Sequence, residues 1–431
     1  MEINKIYNLF KESSGVCTDT RKIKINSIFI SLKGSNFNGN KFASQALNDG
    51  AKYAIVDEKE YANGENIFLV KDALKTLQDL ANYHRKQYSI PVIGITGSNG
   101  KTTSKELIHI VLQKKYNTLA TKGNLNNHIG VPLTLLEMNS THEVAIIEMG
   151  ANKPGDIKEL AEIAEPNYGI ITNIGKAHLE GFINYDGVIN TKTELFRFIQ
   201  KNKKGVLFYN EDDQIIKNNL PKEVTTTSYG KNIKASIKGE LIKLSPYVEM
   251  KWEKENYTSP ILENQMIGEY NFYNYLAAIC IGNYFNVSED LVNQAVKEYR
   301  PSNNRSQIKK TDKNTLILDC YNANPTSMKS AIDSFHMNNV DDKIAIIGDM
   351  LELGDQSVSE HEKIIQLLDE YKINYITVGP IFETIVHSKP KFKNTADLIK
   401  NIKAKNIEII NSLALLKGSR GIELEKLEEV L

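Results

Sequence analysis

Short continuous apolar runs recur along the chain, each followed by a polar or glycine-containing turn and then by apolar residues at helical spacing. The run Pro91-Val92-Ile93-Gly94-Ile95-Thr96 gives way to Gly97-Ser98-Asn99-Gly100, then to Lys101, Thr102 and Thr103. Behind it, residues 104–116 read as a helix, with Leu107, Ile108, Val111 and Leu112 on one face. Runs at 143–147, 168–172 and 205–209 are separated by helical patterns at 157–164 and 187–199. That alternation predicts a buried parallel sheet with helices on both faces. Upstream, 27–32 and 51–56 read as strands and 73–87 as a helix. Downstream, short alternating stretches over 225–261 predict an antiparallel addition, and 271–285 a helix. Runs at 316–318, 344–347 and 375–378, alternating with helices, predict a second sheet of the open, doubly wound kind.

Two breaks divide this pattern, Tyr88-Ser89 and the loop-rich Arg300-Pro301-Ser302-Asn303-Asn304. The predicted fold is α/β in three domains: an N-terminal α/β domain over 1–88, a central P-loop α/β domain over 89–300 and a C-terminal Rossmann-like α/β domain over 301–431. A chain of 431 residues fits that number at roughly 150 residues per domain. Lys+Arg and Asp+Glu are both 53, so the chain carries no electrostatic footprint for nucleic acid or an anionic membrane. The start of the chain lacks a signal-peptide core, and no apolar run approaches the roughly 18 residues of a membrane helix. The three cysteines are too few and too scattered for a disulfide framework or a zinc site. A cytoplasmic monomer is expected.

The turn after Thr96 predicts the chemistry. Strand, glycine turn and helix N-terminus together make a phosphate cradle, because backbone N–H groups and the helix dipole favour an anion there. Gly97 and Gly100 permit positive φ and close approach. Lys101 can reach terminal phosphates, and the Thr102 hydroxyl can ligate Mg²⁺. The usual spacing has a further glycine where Ile95 stands, so only the tighter core of the motif is present. With a strand before it and an amphipathic helix after it, the stretch predicts a nucleoside triphosphate site.

Ligands in such sheets sit beyond the carboxyl ends of the strands. There, Glu148 follows one run where a Mg²⁺ ligand belongs. Asn173-Ile174-Gly175-Lys176-Ala177-His178 follows another. The amide-rich Gly123-Asn124-Leu125-Asn126-Asn127-His128 suits hydrogen bonding to a polar substrate. At this point a kinase, an ATP-dependent ligase and a mechanical NTPase all fit.

Thr96 to Thr103, Gly123 to Gly130, Glu148-Met149-Gly150-Ala151 and Asn173 to His178 resemble, in order, the Mur ligases of peptidoglycan synthesis. Asp319-Cys320-Tyr321-Asn322-Ala323-Asn324-Pro325, Gly348 to Gly354 and Lys417-Gly418-Ser419-Arg420 are similar to the branch that adds D-alanyl-D-alanine. The resemblance spans all three domains. It implies joining of UDP-N-acetylmuramoyl-tripeptide to D-alanyl-D-alanine through an acyl phosphate, with ATP going to ADP and phosphate. It also implies that Gly97, Ser98, Asn99, Gly100, Lys101, Thr102 and Thr103 hold the phosphates. Two Mg²⁺ ions fall to Thr102, Glu148, His178 and Lys192, the last carrying a CO₂-derived carbamate. Asn271, Asn274, Arg305 and Asp319 face the nucleotide. Asn124, Asn126, Asn127, His128, Tyr321, Asn322 and Asn324 face the peptide substrates. Thr20, Arg21, Asn38 and Gly39 face the UDP-sugar, making the first domain a UDP-sugar domain. Lys101, Glu148, His178 and Lys192 would be the catalytic set. The chain departs from the family at Tyr270, where a histidine is usual, and at Asn304, where a glycine is usual. Other Mur ligases, folylpolyglutamate synthase and a P-loop ATPase switch are the alternatives.

Overall fold

The computed structural model describes residues 2–176, 179–182, 184–244, 247–302 and 304–431. Its first domain is a parallel sheet in the order β1 (Val16–Cys17), β2 (Ile28–Ile30), β3 (Tyr53–Val56) and β4 (Ile67–Leu69). Helix α1 (Ala73–Arg85) begins at Asp72, whose side chain accepts a hydrogen bond from the Lys75 amide. Its buried face, Leu77, Leu80 and Ala81, packs into one continuous core with Leu135, Leu160 and Leu207 of the next domain. Arg85 clamps that junction, donating from Nε to the Ala164 carbonyl and from Nη1 to Tyr88 O.

The second domain supplies β5 (Val92–Thr96), α2 (Lys101–Gln113), β6 (Thr118–Ala120), β7 (Val144–Glu148), α3 (Asp156–Ala164), β8 (Tyr168–Ile171), α4 (Tyr185–Lys192), α5 (Glu194–Gln200) and β9 (Val206–Asn210). Then follow β10 (Thr225–Gly230), β11 (Ile237–Lys243), β12 (Glu249–Lys254), β13 (Tyr257–Thr258), β14 (Leu262–Glu263) and α6 (Glu269–Tyr284). The sheet runs β13-β12-β11-β10-β9-β8-β5-β7-β6, with β14 paired to β12. Strand β5 thus lies between β8 and β7, all parallel, and their carboxyl ends open on one side.

Two sequence expectations need correcting. The addition over 225–261 is not antiparallel throughout: β10 is parallel to β9, and β11 to β10, before β12 reverses. Alternation reports a half-buried face, not a strand direction. The helix expected over 187–199 is two, meeting at Thr193, whose hydroxyl donates back to the Ile189 and Asn190 carbonyls. Helix α5 is seated by paired glycines, Gly94 opposite Gly169. A Cβ on Gly169 would stand 2.3 Å from Ile199 Cδ1, and one on Gly94 3.0 Å from Leu195 Cδ1.

The third domain has β15 (Gln307–Lys310), β16 (Thr315–Asp319), α7 (Pro325–His336), β17 (Lys343–Gly348), α8 (Ser357–Glu370), β18 (Asn374–Val378), β19 (Lys391–Phe392) and β20 (Leu413–Lys417). The strand order is β15-β16-β20-β17-β18-β19, antiparallel only at β15. Its apolar residues form cores largely of their own, joined from the central domain by Ile267. Helix α7 is fixed by a capping box between Asn324 and Ser327, with Pro325 in the first turn. No helix among the described residues is long and apolar enough to cross a membrane.

Candidate active site

Strand β5 delivers its turn into the fork between β7 and β8. Gly97 (φ +147°) lies against the neighbouring loop so closely that a Cβ would stand 2.0 Å from Thr172 Oγ1. The Ser98 amide donates to Asn173 O (3.0 Å) and the Asn99 amide to Asn173 Oδ1 (3.0 Å). Those two amides are therefore committed, and the free donors are those of the first turn of α2. That helix starts at Gly100 (φ +76°) with no side-chain cap, leaving its first N–H groups for a ligand. Lys101 Nζ donates to Gly97 O (2.7 Å) and Ser98 O (3.2 Å), folded back on its own loop. Burial, reinforced by the charge of Arg305 and opposed by Glu148, lowers the Lys101 ammonium below the usual lysine value.

Beside the loop, Glu148 leaves β7 almost fully buried, at 1 % exposure. Its Oε1 accepts from Thr102 Oγ1 (3.2 Å) and Asn126 Nδ2 (2.7 Å), while Oε2 is buried with no hydrogen-bond partner. An unpartnered buried carboxylate oxygen is costly unless a cation takes it. Among the described residues no three His, Cys, Asp or Glu side chains form a ready cage. The donor set instead suits Mg²⁺, which takes one or two protein oxygens plus phosphate. His178 lies outside the described residues.

Asn127 Oδ1 accepts from the Ile129 and Gly130 amides in the turn leading into the helix Gly130–Leu135. Asn274 accepts from Ser104 Oγ (3.0 Å) and donates to Asn271 Oδ1 (2.8 Å). Lys192, at the end of α4, is 1 % exposed, and its ammonium sits 5.6 Å from the centre of the Phe182 ring. Among the described residues it forms no ion pair, and burial, with the charge of Lys101 and against those of Asp156 and Glu194, pushes it well below the usual lysine value.

The third domain closes the site from above. Arg305 stacks on the Tyr321 ring at 3.7 Å, and Asp319 is ion-paired with Lys417 at 3.0 Å. Asn324 Nδ2 reaches across to Asn99 Oδ1 at 2.7 Å. Asn304 takes φ +55°, in the left-handed region that asparagine tolerates best after glycine. Tyr270 donates to or accepts from Ser306 Oγ at 2.8 Å. The result is one cavity of about 1150 Å³. Ser98 to Thr103, Asn124, Asn126, Asn127, His128, Glu148, Asn271, Asn274, Arg305, Asp319, Tyr321 and Asn322 all line it. Gly97, Lys192 and Asn324 are not among its lining residues.

Thr20, Arg21, Asn38 and Gly39 sit apart, in the first domain. Arg21 forms a fork with Asp19 (2.9 Å to each oxygen), and those hydrogen bonds hold the Asp19 carboxyl down to about 2. Asn38 caps a short turn and donates to Glu58. Gly39 is required by close approach, since a Cβ would stand 2.5 Å from Leu32 O. Sequence reasoning assigned no role to Lys417, which holds Asp319 and Asn322 O, or to Ser306 and Thr326. Lys417 ends a buried strand, so the strand-end rule could have found it.

The chain matches three family models: "Mur ligase family, catalytic domain" over residues 12–85, "Mur ligase middle domain" over 95–282, and "Mur ligase, glutamate ligase domain" over 304–417. It is 33 % identical to the UDP-N-acetylmuramoyl-tripeptide–D-alanyl-D-alanine ligase of Bacillus subtilis (strain 168), over 96 % of this chain and 92 % of the relative. Against the ligase of the same name from Buchnera aphidicola (subsp. Baizongia pistaciae), identity is 35 %, with the same coverage. The crystal structure of MurF from Acinetobacter baumannii superposes with a TM-score of 0.88 at 28 % identity, covering 99 % of this chain and 97 % of that one. MurF ligase from Thermotoga maritima in complex with ADP gives 0.86 at 25 %, covering 98 % and 97 %. Folylpolyglutamate synthase of Mycobacterium tuberculosis, at 13 % identity and TM-score 0.65 over 83 % of this chain and 94 % of that one, shares the fold alone.

Proposed function

The chain belongs to the Mur ligase family, and from that premise we propose that it joins UDP-N-acetylmuramoyl-tripeptide to D-alanyl-D-alanine with cleavage of ATP to ADP and phosphate. The observation that carries this reading is the single cavity in which an uncapped helix start and Glu148 face Arg305, Asp319, Tyr321 and Asn322 of another domain. Its size suits a nucleotide with two further reactive groups beside it. A nucleotide-dependent reaction of this kind belongs in the cytoplasm.

A carboxylate does not condense with an amine at neutral pH, because oxide is a poor leaving group. A carboxylate oxygen of the tripeptide attacks the γ-phosphorus, and the bond to ADP breaks. The amine nitrogen of D-alanyl-D-alanine then attacks the acyl carbon, phosphate leaves, and the nitrogen gives one proton to solvent. The chain's part is positioning and charge neutralisation. The loop 97–103 holds the phosphates through the free amides of its helical turn, with Lys101 swinging from its own loop carbonyls onto them. Asn271, Asn274 and Arg305 orient the nucleotide, and Asp319, fixed by Lys417, stands beside it. Tyr321, Asn322 and Asn324 present the dipeptide; Asn124, Asn126 and His128 hold the acceptor peptide. Thr20, Arg21, Asn38 and Gly39 engage the UDP-sugar. Thr102 and Glu148 would hold Mg²⁺, which supplies charge neutralisation at the phosphates when bound. A carbamate on Lys192, with His178, would complete a second metal site. The buried, lowered ammonium supports that reading, since only the neutral amine adds CO₂.

ADP release measured with all three substrates should depend on D-alanyl-D-alanine and match ligated product one to one. Release indifferent to the dipeptide would defeat the ligase reading in favour of a simple ATPase.

A further inference from the structure

Between the central and C-terminal domains, the described residues 299–302 and 304–306 carry Arg305 into the cleft. Two non-glycine residues there, Asn304 and Ser306, have positive φ (+55° and +50°). Such a segment holds one conformation only where its surroundings fix it. Both of its ends are fixed by a tyrosine hydroxyl. At the far end, Tyr270 bonds Ser306 Oγ, and the Ser306 amide donates to Asp319 Oδ1 at 3.2 Å. At the near end, Tyr299 donates to Glu106 Oε2 at 2.8 Å.

The near end is the informative one, because neither Tyr299 nor Glu106 lines the cavity. Tyr299 is 8 % exposed and ends the helix Glu289–Glu298. Glu106 lies on α2, directly after the phosphate loop, and its other oxygen is 3.6 Å from Nζ of buried Lys105. Lys105 Nζ donates to Thr121 O (2.8 Å), and Thr121 Oγ1 accepts from the Glu148 amide (2.9 Å). These contacts lead from the domain junction, through Glu106, Lys105 and Thr121, to the backbone amide of Glu148 at the cavity floor.

We propose that Tyr299 and Glu106 are positioning residues: their hydrogen bond pins the crossing segment to the helix behind the phosphate loop, so that Arg305 and Asp319 reach the nucleotide in register with Glu148. The proposal rests on the ligase reading. Domain closure completes such a site and commits the substrate. Nucleotide affinity, held mainly by the loop 97–103, is expected to survive loss of the pin, while turnover is not.

Tyr299→Phe removes only the hydroxyl, Glu106→Ala removes its acceptor, and Glu106→Gln keeps an acceptor in place. The first two should each lower kcat about tenfold, with KM for ATP within about twofold of wild type. The double variant should be no slower than either single one, and Glu106→Gln should stay within about twofold of wild type. X-ray scattering with an ATP analogue and the UDP-tripeptide should show wild type contracting and Tyr299→Phe contracting less. Unchanged kcat in Tyr299→Phe, losses that multiply in the double variant, or equal contraction would overturn the pin. A wild type that makes no ligated product would defeat the ligase reading instead, and the scattering comparison would still decide on the pin.

Discussion

Lys101→Ala is expected to lower kcat/KM by roughly a thousandfold while leaving the protein folded, as read by steady-state ADP release and circular dichroism. Removing one preorganised donor from a developing charge costs roughly 10²–10³ in rate. In the resting structure the ammonium satisfies only Gly97 O and Ser98 O, and water can replace it there, so the melting temperature should move little. Lys101→Arg should rescue poorly, because a planar fork cannot fold back into the space of a point charge. The pH profile should carry the same signature. Burial lowers the Lys101 ammonium, so the charged form is lost as pH rises through that lowered value. Activity should fall on the alkaline side earlier than an ordinary lysine would dictate. Full activity in Lys101→Ala would remove the phosphate loop from the mechanism.

Lys192 should behave in the opposite way for stability. Lys192→Met is expected to lower turnover at least about a hundredfold, yet to match or exceed wild-type stability in CO₂-free buffer. A buried, unpaired ammonium is a liability that an apolar side chain of similar volume relieves, by about 1 kcal/mol or more. The sign follows from linkage. The folded-state value lies well below that of an unfolded lysine, so between the two the unfolded chain binds more protons and stability rises with pH. Lys192→Met should lack that slope. Wild type stripped of CO₂ should lose activity and regain it on adding bicarbonate, which the variant should not. Denaturant midpoints across pH, with and without bicarbonate, check both halves. A stable, bicarbonate-indifferent wild type would leave Lys192 as an ordinary buried lysine.

Much of this was legible in the sequence because the buried strands are unmistakable runs. Val92 to Thr96, Val144 to Glu148 and Tyr168 to Ile171 are wholly or almost wholly buried, and residues at their carboxyl ends converge by topology alone. Less legible was β20: Leu413-Ala414-Leu415-Leu416 is apolar but built of good helix formers, so periodicity could not assign it. Strands β1 and β4 are too short and too exposed to announce themselves. Direction was hidden as well: β10 runs from exposed to buried and β11 alternates only at its start, and neither pattern distinguishes parallel from antiparallel pairing. Within the site, the glycines and Lys101 were evident, but the commitment of the Ser98 and Asn99 amides to Asn173 was not. That depends on how closely two loops approach, which is set by Gly97 against Thr172. The Tyr299–Glu106 bond spans 193 residues, and no local pattern marks either partner.

The central claim is that the carboxyl oxygen of the tripeptide is transferred to phosphorus before the amide forms. Ligation with tripeptide labelled by ¹⁸O in its terminal carboxylate tests it most directly. One labelled oxygen should appear in inorganic phosphate for each amide made, and none in ADP. Phosphate free of label, alongside normal product, would contradict the account.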